Sequence, residues 1–279
     1  MGLIMTKVML KEAQRGGYAV GAFNIENAEM AKAVCLAAKE EKRQIILQTT
    51  PSTLKYLGSP YFVGMVKAAV EENGIDAALH LDHGSSYELA CECIDSGYTS
   101  VMIDGSKLPF DDNIELTKRV VNYAHARGVT VEAELGTVGG KEDETEGQGN
   151  QYTDPDMALE FVQRTDVDSL AVAFGTAHGV YAVKPVLDLD RIALIRAKVS
   201  VPLVMHGSSG IGRDEIVTAI RNGICKVNFA TELREAFSNG IREYMKDDGA
   251  VIDPKKYLRQ AQENVTELVR ERIRQINPL

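Results

Sequence analysis

The sequence predicts an α/β fold of the (β/α)₈ TIM-barrel type, with extra helices at the amino and carboxyl ends of the chain. Short apolar runs rich in β-branched residues recur about every 25 to 35 residues, and amphipathic stretches lie between them. Eight such runs are present, which is the number that closes a parallel barrel. Because no linker rich in proline or serine divides the chain, we expect a single domain spanning residues 1–279.

The predicted strands and helices alternate along the chain. The eight strands are expected at Ala19–Ile25, Gln44–Thr50, Ala77–Asp82, Ser100–Asp104, Thr130–Leu135, Ser169–Phe174, Pro202–His206 and Lys226–Ala230. The helices that follow them are expected at Ala28–Glu41, Tyr61–Glu72, Ser86–Ser96, Asp111–Arg127, Pro155–Arg164, Asp190–Lys198, Arg213–Asn222 and Glu232–Lys246. A leading helix at Thr6–Arg15 and a trailing helix at Lys256–Ile276 lie outside this eightfold set.

The longest irregular segment, Gly136–Asp154, follows the fifth predicted strand and is rich in glycine and acidic residues. A loop of this length inside a compact domain is typically functional or disordered. On the catalytic face of a barrel, with Gly139 and Gly140 as a hinge, it is expected to form a mobile lid.

The composition describes an acidic chain with a large core. Hydrophobic residues make up 44% and the formal net charge is −9, which argues against nucleic acid or a membrane surface as a partner because both require a positive face. The amino terminus is too short and mixed for a signal peptide. The four cysteines have no zinc-finger or redox spacing, so we interpret them as reduced packing residues of a cytoplasmic protein.

Four of the five histidines lie in three short segments, each at the end of an apolar run and next to glycine: His80 and His83 in one, then His178 and His206. The ends of parallel strands meet at one face of a barrel, so imidazoles from three of them would converge. Three neutral imidazoles with an open position suit a catalytic zinc. Strand alternation makes His80 a competitor of His83 for the ligand role.

Three acidic residues end predicted strands at the same face. Asp82 is expected to orient a ligand or to act as an acid or base. Asp104 and Glu134 point at the same mouth. Together these two predict a second cation position or a charge network around the first.

Two consecutive loops have the composition of a phosphate site. His206–Gly210 leads into a helix, and Asn228–Thr231 leads directly into the next one. Backbone N–H groups and hydroxyls at helix starts after the seventh and eighth strands match the common phosphate site of this barrel class. Lys226 is interpreted as beginning the eighth strand at the wrong end of the barrel, so a Schiff-base mechanism is not supported.

Taken together, these motifs resemble the class II, metal-dependent sugar-bisphosphate aldolases. The segments that carry the resemblance are Ala22–Asn24, His80–Gly84, Asp104–Ser106, Glu132–Gly136, Gly139–Glu142, Ala173–Gly179, Val204–Gly210 and Lys226–Thr231. They come in the family's order and cover most of the chain. The resemblance implies a TIM barrel and the reversible aldol cleavage of a ketose bisphosphate to dihydroxyacetone phosphate and an aldehyde such as glyceraldehyde 3-phosphate.

The resemblance also implies roles for individual residues. It places zinc on His83, His178 and His206. By analogy, then, His83 rather than His80 is the ligand from the third strand. Asp82 would move the C4-hydroxyl proton, and Glu142, carried on the lid, would exchange the proton on the carbon of dihydroxyacetone phosphate. The substrate-binding set is Asn24, Thr50, Gly179, Gly207, Ser208, Ser209, Asn228, Ala230, Thr231 and Lys255. Members of the family often bind a monovalent cation, Na⁺ or K⁺, beside the phosphate.

Three departures from the pattern bear on the substrate. Ser208 adds a hydroxyl where many relatives have Gly or Ala. Ala230 resembles tagatose-bisphosphate aldolases, so tagatose 1,6-bisphosphate is placed slightly ahead of fructose 1,6-bisphosphate. Lys255 stands where fructose enzymes usually have an arginine, and only arginine makes a bidentate fork, so the distal group could be a phosphate, a sulfonate or a different acid.

The alternatives are an aldolase for a related sulfonated or deoxy-acid ketose phosphate in sugar catabolism, a non-catalytic phosphosugar-binding partner subunit, and a metal-dependent hydrolase barrel. A non-catalytic subunit should have lost the metal ligands or the acid/base pair, and this chain has them. A hydrolase barrel would more often have paired metal ligands on the first strand, where Asn24 is a poor ligand. The terminal helices and the resemblance favour a homodimer or homotetramer.

Overall fold

Eight parallel strands close a barrel in the computed structural model, which describes residues 2–142, 145–147, 151–179, 185–247 and 249–277, with only the backbone of 141, 142, 145–147 and 247. The strands are β1 (Gly2–Leu3), β2 (Val20–Asn24), β3 (Ile45–Thr49), β4 (Asp76–Gly84), β5 (Ser100–Ile103), β6 (Thr130–Leu135), β7 (Gly139–Glu142), β8 (Thr145–Gly147), β9 (Ser169–Val172), β10 (Ala177–His178), β11 (Leu203–Met205) and β12 (Ile224–Phe229). Around the barrel the order is β2-β3-β4-β5-β6-β9-β11-β12, and β12 pairs with β2.

The helices form an outer ring around these strands. In the described residues they are α1 (Thr6–Gly16), α2 (Ala28–Glu41), α3 (Pro51–Leu57), α4 (Ser59–Asn73), α5 (Tyr87–Ser96), α6 (Phe110–His125), α7 (Pro155–Thr165), α8 (Leu189–Lys198), α9 (Arg213–Arg221), α10 (Thr231–Asp247) and α11 (Pro254–Ile276). None of the described helices is long and apolar enough to cross a membrane.

Capping residues start several helices directly after the strand ends. The side chain of Asn27 accepts from the N–H of Met30 at the start of α2, and Ser86 accepts from the N–H of Leu89 at the start of α5. Such caps satisfy backbone donors that have no partner inside the helix. They fix short connections at the carboxyl ends of the strands, where the site lies.

The predicted fold class is confirmed, and the eight predicted barrel strands and ten predicted helices each have a counterpart. The sequence reading missed α3, which begins at Pro51, a residue suited to the first helical position. The prediction of an irregular Gly136–Asp154 segment was wrong: β7 and β8 form an antiparallel hairpin, and β7 pairs in parallel with β10. Its glycines hid this pattern, because they have no side chains to alternate.

The core lies on both sides of the barrel strands. Outside, apolar strand residues such as Phe23 and Leu47 pack against the helix ring. Inside, at the amino ends of the strands, α1 closes the barrel with a smaller apolar cluster. This cluster contains Met9, Leu10, Ala13, Val20, Ala22, Ile46, Ala78 and Cys225. Higher inside the barrel, at the carboxyl ends of the strands, the buried residues become polar.

Candidate active site

Three histidine rings meet at the carboxyl ends of the barrel strands. One ring nitrogen from each of His83, His178 and His206 lies within 4.8 Å of the others. The ring centroids of His83 lie 5.0 Å from His178 and 4.6 Å from His206. The strand ends that the sequence singled out therefore bring these three side chains together.

His83 reaches this position through an unusual backbone conformation. Its φ is +48°, in the left-handed region that non-glycine residues rarely adopt. The pairing register of β4 with β5 shifts between Leu81 and Gly84, and a Cβ at Gly84 would lie 2.3 Å from the carbonyl oxygen of Met102. The resulting bulge breaks strand alternation, so Asp82 and His83 both face the mouth of the barrel, with His83 Nε2 4.0 Å from Asp82 Oδ1.

His80, the competitor of His83, lies deeper in the barrel and is fully buried. Its Nδ1 is 2.8 Å from the hydroxyl of Ser100, and its Nε2 is 3.5 Å from Nζ of Lys226. Burial, together with the charge of Lys226, lowers the pKa of His80 well below its ordinary value. His80 is absent from the histidine cluster at the mouth.

In two of the three rings, the nitrogen that faces away from the cluster lies within hydrogen-bond distance of a carboxylate. Nδ1 of His83 is 2.9 Å from Oδ2 of Asp104, and Nε2 of His206 is 3.0 Å from Oε1 of Glu132. Burial lowers the pKa of His206. Burial alone would raise the pKa of Asp104, but the hydrogen bonds from His83 and Ser106 take it well below its usual range.

This arrangement fits a metal ion. Nε2 of His83 and Nδ1 of His206 lie 2.8 Å apart, within hydrogen-bond distance. In the tautomers that donate the other N–H of each ring to its carboxylate, these two nitrogens both have a lone pair for a cation. Two such donors with a third imidazole beside them are what a divalent cation binds. His83, Asp104 and Glu134 form a second group whose ligand atoms lie within 4.8 Å of one another.

Asp82 is the fully buried carboxylate beside the histidines, and three side-chain amides hold it. Oδ2 accepts from Asn24 Nδ2 and Gln48 Nε2, both at 3.0 Å, and Oδ1 accepts from Asn228 Nδ2 at 3.1 Å. The structure thus places the amides of Asn24 and Asn228, predicted to bind substrate, against Asp82. Four barrel strands fix this carboxylate in one orientation.

A cleft next to His178 collects the loops of the predicted phosphate site. Its lining is His178, Gly179, Gly207, Ser208, Ser209, Asn228, Ala230, Thr231 and Arg234. Gly207 has a φ of +66°, and a Cβ there would lie 2.4 Å from the carbonyl oxygen of Ala177, so only glycine fits this close approach. The hydroxyl of Ser208 donates to the carbonyl oxygen of Asn228, tying the two loops together.

Of the other predicted substrate-binding residues, Thr50 and Lys255 are not among those that line this cleft. Thr50 is buried at the start of α3. Lys255, predicted to hold the distal phosphate, has an 82% exposed side chain and pairs with Asp253 at 2.7 Å. Glu142 ends β7, but its side chain lies outside the described residues. The predicted hinge at Gly139 and Gly140 pairs with Ala177 and His178.

Sequence reasoning missed four polar residues of the site. Gln48 and Glu132 lie two residues from recognised positions on their strands, and strand periodicity places them inside. Arg234 is one helical turn into α10 and pairs with Glu26 at 2.6 Å. The prediction for Lys226 was wrong: β12 begins at Ile224, so Lys226 lies inside the barrel, 2.9 Å from Glu132.

Known proteins share this architecture and sequence along nearly the whole chain. The model of the family described as fructose-bisphosphate aldolase class-II matches residues 4–278. A fructose-bisphosphate aldolase of Geobacillus stearothermophilus is 47% identical over 261 residues, covering 92% of this chain and 91% of the relative. One of Staphylococcus epidermidis is 44% identical over 278 residues, covering 99% and 97%.

A solved structure agrees with these sequence matches. The crystal structure of the YdjI aldolase from Escherichia coli K12 superposes with a TM-score of 0.88 at 36% identity, covering 98% of this chain and 97% of that one. The resemblance inferred from the motifs is therefore confirmed. The chain belongs to the class II fructose-bisphosphate aldolase family and is a carbon–carbon lyase.

Proposed function

We propose that this enzyme catalyses the metal-dependent, reversible aldol cleavage of a ketose 1,6-bisphosphate to dihydroxyacetone phosphate and an aldehyde such as glyceraldehyde 3-phosphate. The observation that carries the proposal is the meeting of His83, His178 and His206 beside the buried carboxylate of Asp82. Membership of the class II family supports the reaction class.

The proposed metal is zinc, held by the three histidines, because three imidazoles with one open position are a common catalytic zinc site. When bound, zinc would supply a Lewis acid that polarises the ketone carbonyl. Asp104 orients His83 through its 2.9 Å contact. Asp104 and Glu134, with His83, offer a second cation position or a charge network around the first.

Asp82 is the proposed acid/base. In cleavage it takes the proton of the C4 hydroxyl as the bond between C3 and C4 breaks, and in condensation it returns that proton. The amides of Asn24, Gln48 and Asn228 hold its two oxygens in place. Glu142 is proposed to exchange the proton on the carbon of dihydroxyacetone phosphate, arriving on the strand that pairs with His178.

The cleft beside His178 is the proposed phosphate site. Gly179, Gly207, Ser209 and Thr231 would supply backbone N–H groups and hydroxyls. Arg234 lines the same cleft while its Nε donates to Glu26, and the other N–H groups of its guanidinium are proposed to bind the phosphate. A monovalent cation, Na⁺ or K⁺, is proposed beside the phosphate.

Removal of the metal tests the reaction mechanism. Dialysis against a chelator is expected to abolish cleavage, and zinc is expected to restore it, in a coupled assay of dihydroxyacetone phosphate release. Borohydride added with substrate should trap no covalent adduct, because the proposal uses no Schiff base. Cleavage that survives chelation, or an adduct with the chain, would refute the proposal.

For the substrate, tagatose 1,6-bisphosphate is placed slightly ahead of fructose 1,6-bisphosphate on Ala230, which lines the cleft. The two sequence relatives are named for fructose. An aldolase for a ketose phosphate with a sulfonate or another acid at its distal end is the second candidate, because Lys255 stands where the resemblance leads us to expect an arginine and cannot make a bidentate fork. Comparison of kcat/KM for tagatose, fructose and 6-sulfo ketose phosphates decides among the three.

The setting of the reaction is proposed on broader grounds. The formal net charge of −9 argues against nucleic acid as a partner, and cysteines without zinc-finger or redox spacing support a cytoplasmic location. Membership of the aldolase family supports a role in carbohydrate metabolism such as glycolysis, with a small sugar phosphate as substrate. A homodimer or homotetramer is expected. Light scattering on the purified chain measures its mass in solution and so tests the expected homodimer or homotetramer.

A further inference from the structure

A buried lysine lies inside the barrel, and the proposed reaction does not use it. Lys226 is fully buried on β12. Its Nζ donates to both oxygens of Glu132, at 2.9 Å to Oε2 and 3.1 Å to Oε1, and lies 3.5 Å from Nε2 of His80. The three donor positions of the ammonium thus all face groups of the barrel interior.

Glu132 connects this lysine to a histidine of the proposed metal site. Its Oε1 is 3.0 Å from Nε2 of His206, whereas Nδ1 of His206 faces His83 at 2.8 Å. A neutral imidazole carries its single proton on one of its two nitrogens. With that proton on Nε2 and donated to Glu132, the lone pair on Nδ1 is left for a cation.

Stability of the fold gives no reason for this buried pair. Removing two charges from water costs several kcal/mol for each ion, and well-packed apolar side chains of similar volume are often as stable or more so. Another part of the same interior is filled by apolar side chains, among them Met9, Leu10 and Ile46. The contact with His206 offers a reason, because a fixed carboxylate sets the tautomer and orientation of a ligand ring.

We propose that Lys226 and Glu132 are positioning residues of the metal site: Lys226 holds the carboxylate of Glu132, which holds His206 with Nδ1 directed at the cation. The inference rests on the proposed function, because it takes His206 as a metal ligand. Lys226 therefore acts through two other residues and touches neither substrate nor metal.

Zinc affinity of the full chain is the measurement, made by competition with a chromophoric chelator beside the thermal melting of the zinc-free protein. We expect Glu132→Met to weaken zinc binding by about 10- to 100-fold, as changes at such outer-sphere partners do. Lys226→Met should weaken it less, because the carboxylate remains but loses its partner. Both single variants should melt at lower temperature, because each leaves one buried charge unpaired.

The double variant Lys226→Met with Glu132→Met separates positioning from folding. Both buried charges are then gone, so the zinc-free protein should melt near the wild-type temperature, while zinc affinity stays weakened by about 10- to 100-fold. A double variant that regains wild-type zinc affinity would overturn the inference. So would a Lys226→Met variant with unchanged zinc affinity.

A matched control removes another lysine that is paired with a buried carboxylate. Lys7 lies 2.7 Å from Asp168, whose side chain is 3% exposed, at the amino end of the barrel. Lys7→Met should lower the melting temperature without changing zinc affinity, and an equal loss of affinity in this control would overturn the inference. If the wild-type chain binds no zinc, the proposed function fails instead.

Histidine NMR gives a readout that a purely structural role would not move. The chain has five histidines, so the nitrogen resonances of the zinc-free, ¹⁵N-histidine-labelled protein form a small set. We expect His206 to carry its proton on Nε2 in the wild type and to become a mixture of tautomers in Glu132→Met. An unchanged tautomer in this variant would contradict the inference.

Discussion

The upper and lower halves of the barrel interior differ sharply although the same strands supply both. On β3, Ile46 belongs to the apolar cluster that α1 closes, whereas Gln48, two residues further on, donates to Asp82 at 3.0 Å. On β4, Ala78 lies in the lower cluster and Asp82 in the upper polar network. The buried Lys226–Glu132 pair lies inside the same barrel.

This difference shows how one scaffold separates stability from chemistry. Apolar burial is favourable wherever it occurs, so the lower half and the outer shell contribute most of the free energy of folding. The upper half buries amides, carboxylates and imidazoles, which cost free energy unless each is hydrogen-bonded. Substitutions in the upper half should therefore change the reaction rate, and substitutions in the lower half should change stability.

The largest expected effect on the rate comes from Asp82→Ala. Loss of the proposed acid/base should lower kcat by about 10²- to 10⁴-fold, while zinc content stays close to that of the wild type because the histidines remain. The control Ile46→Val, on the lower part of the neighbouring strand, should keep its kcat and lose only about 0.5–1.5 kcal/mol of stability. Steady-state kinetics with metal analysis would contradict the assignment if Asp82→Ala stayed within tenfold of the wild type.

A smaller but still large loss is expected from Gly140→Ala. Gly140 has a φ of +89°, and a Cβ there would lie 2.2 Å from the carbonyl oxygen of His178. The added methyl group should displace the β10 strand and its histidine, and a shift of about 1 Å at a reacting group can lower the rate by about 10²-fold. Kinetics beside Gly64→Ala, where nothing lies within 4 Å of the added atom, test this; equal activities would show that the β7–β10 pairing does not position His178.

The lower half should respond in the opposite way. Met9 of α1 is fully buried in the lower cluster, so Met9→Ala should cost about 2–5 kcal/mol of unfolding free energy. The kcat of the folded fraction should be unchanged, because no group of the site is touched. Urea unfolding measures the loss of stability, and kinetics at urea concentrations below the unfolding transition measure kcat. A fall in kcat as large as that of Gly140→Ala would contradict the separation of stability from chemistry.

Cysteine labelling gives the smallest effect and reports on packing alone. Burial raises the pKa of Cys35 and Cys93 to about 12 and that of Cys225 to about 11, and thiols react as thiolates. Iodoacetamide at neutral pH should therefore label one site on the native chain, the half-buried Cys91, and four sites after denaturation. Mass spectrometry that found Cys225 labelled as fast as Cys91 would show that the lower half is open.

Much of the fold followed from sequence pattern, because parallel barrel strands are apolar runs separated by amphipathic helices. The convergence of three histidines followed from barrel topology, since strand ends share one face, but the choice of His83 over His80 came from the resemblance. Lys226 and the β7–β8 hairpin did not follow. A lysine within an apolar run predicts the start of a strand unless a buried carboxylate partner such as Glu132 is known. The glycines of the hairpin have no side chains, so they show no strand periodicity.

The resemblance assigns Asn24 and Asn228 to the substrate, and that assignment stays a prediction. What the sequence did not predict is that their amide nitrogens donate to Asp82. Sequence gives the identity of a polar residue at the mouth but not the direction of its hydrogen bonds, which depends on which neighbour lies across the barrel. For the same reason, the sequence did not predict that Arg234 lines the cleft, because this depends on where α10 packs.

The left-handed residue at the end of β4 has a consequence for protein design. A regular strand turns every second side chain inward, so two inward-facing groups of one strand start about 6–7 Å apart along it. The φ of +48° at His83 removes that restriction, so the consecutive residues Asp82 and His83 both face the mouth of the barrel. An Asp-His-Gly triplet with this backbone is accordingly a compact unit, and at the end of another parallel strand it should place the proposed acid/base and the proposed metal ligand side by side.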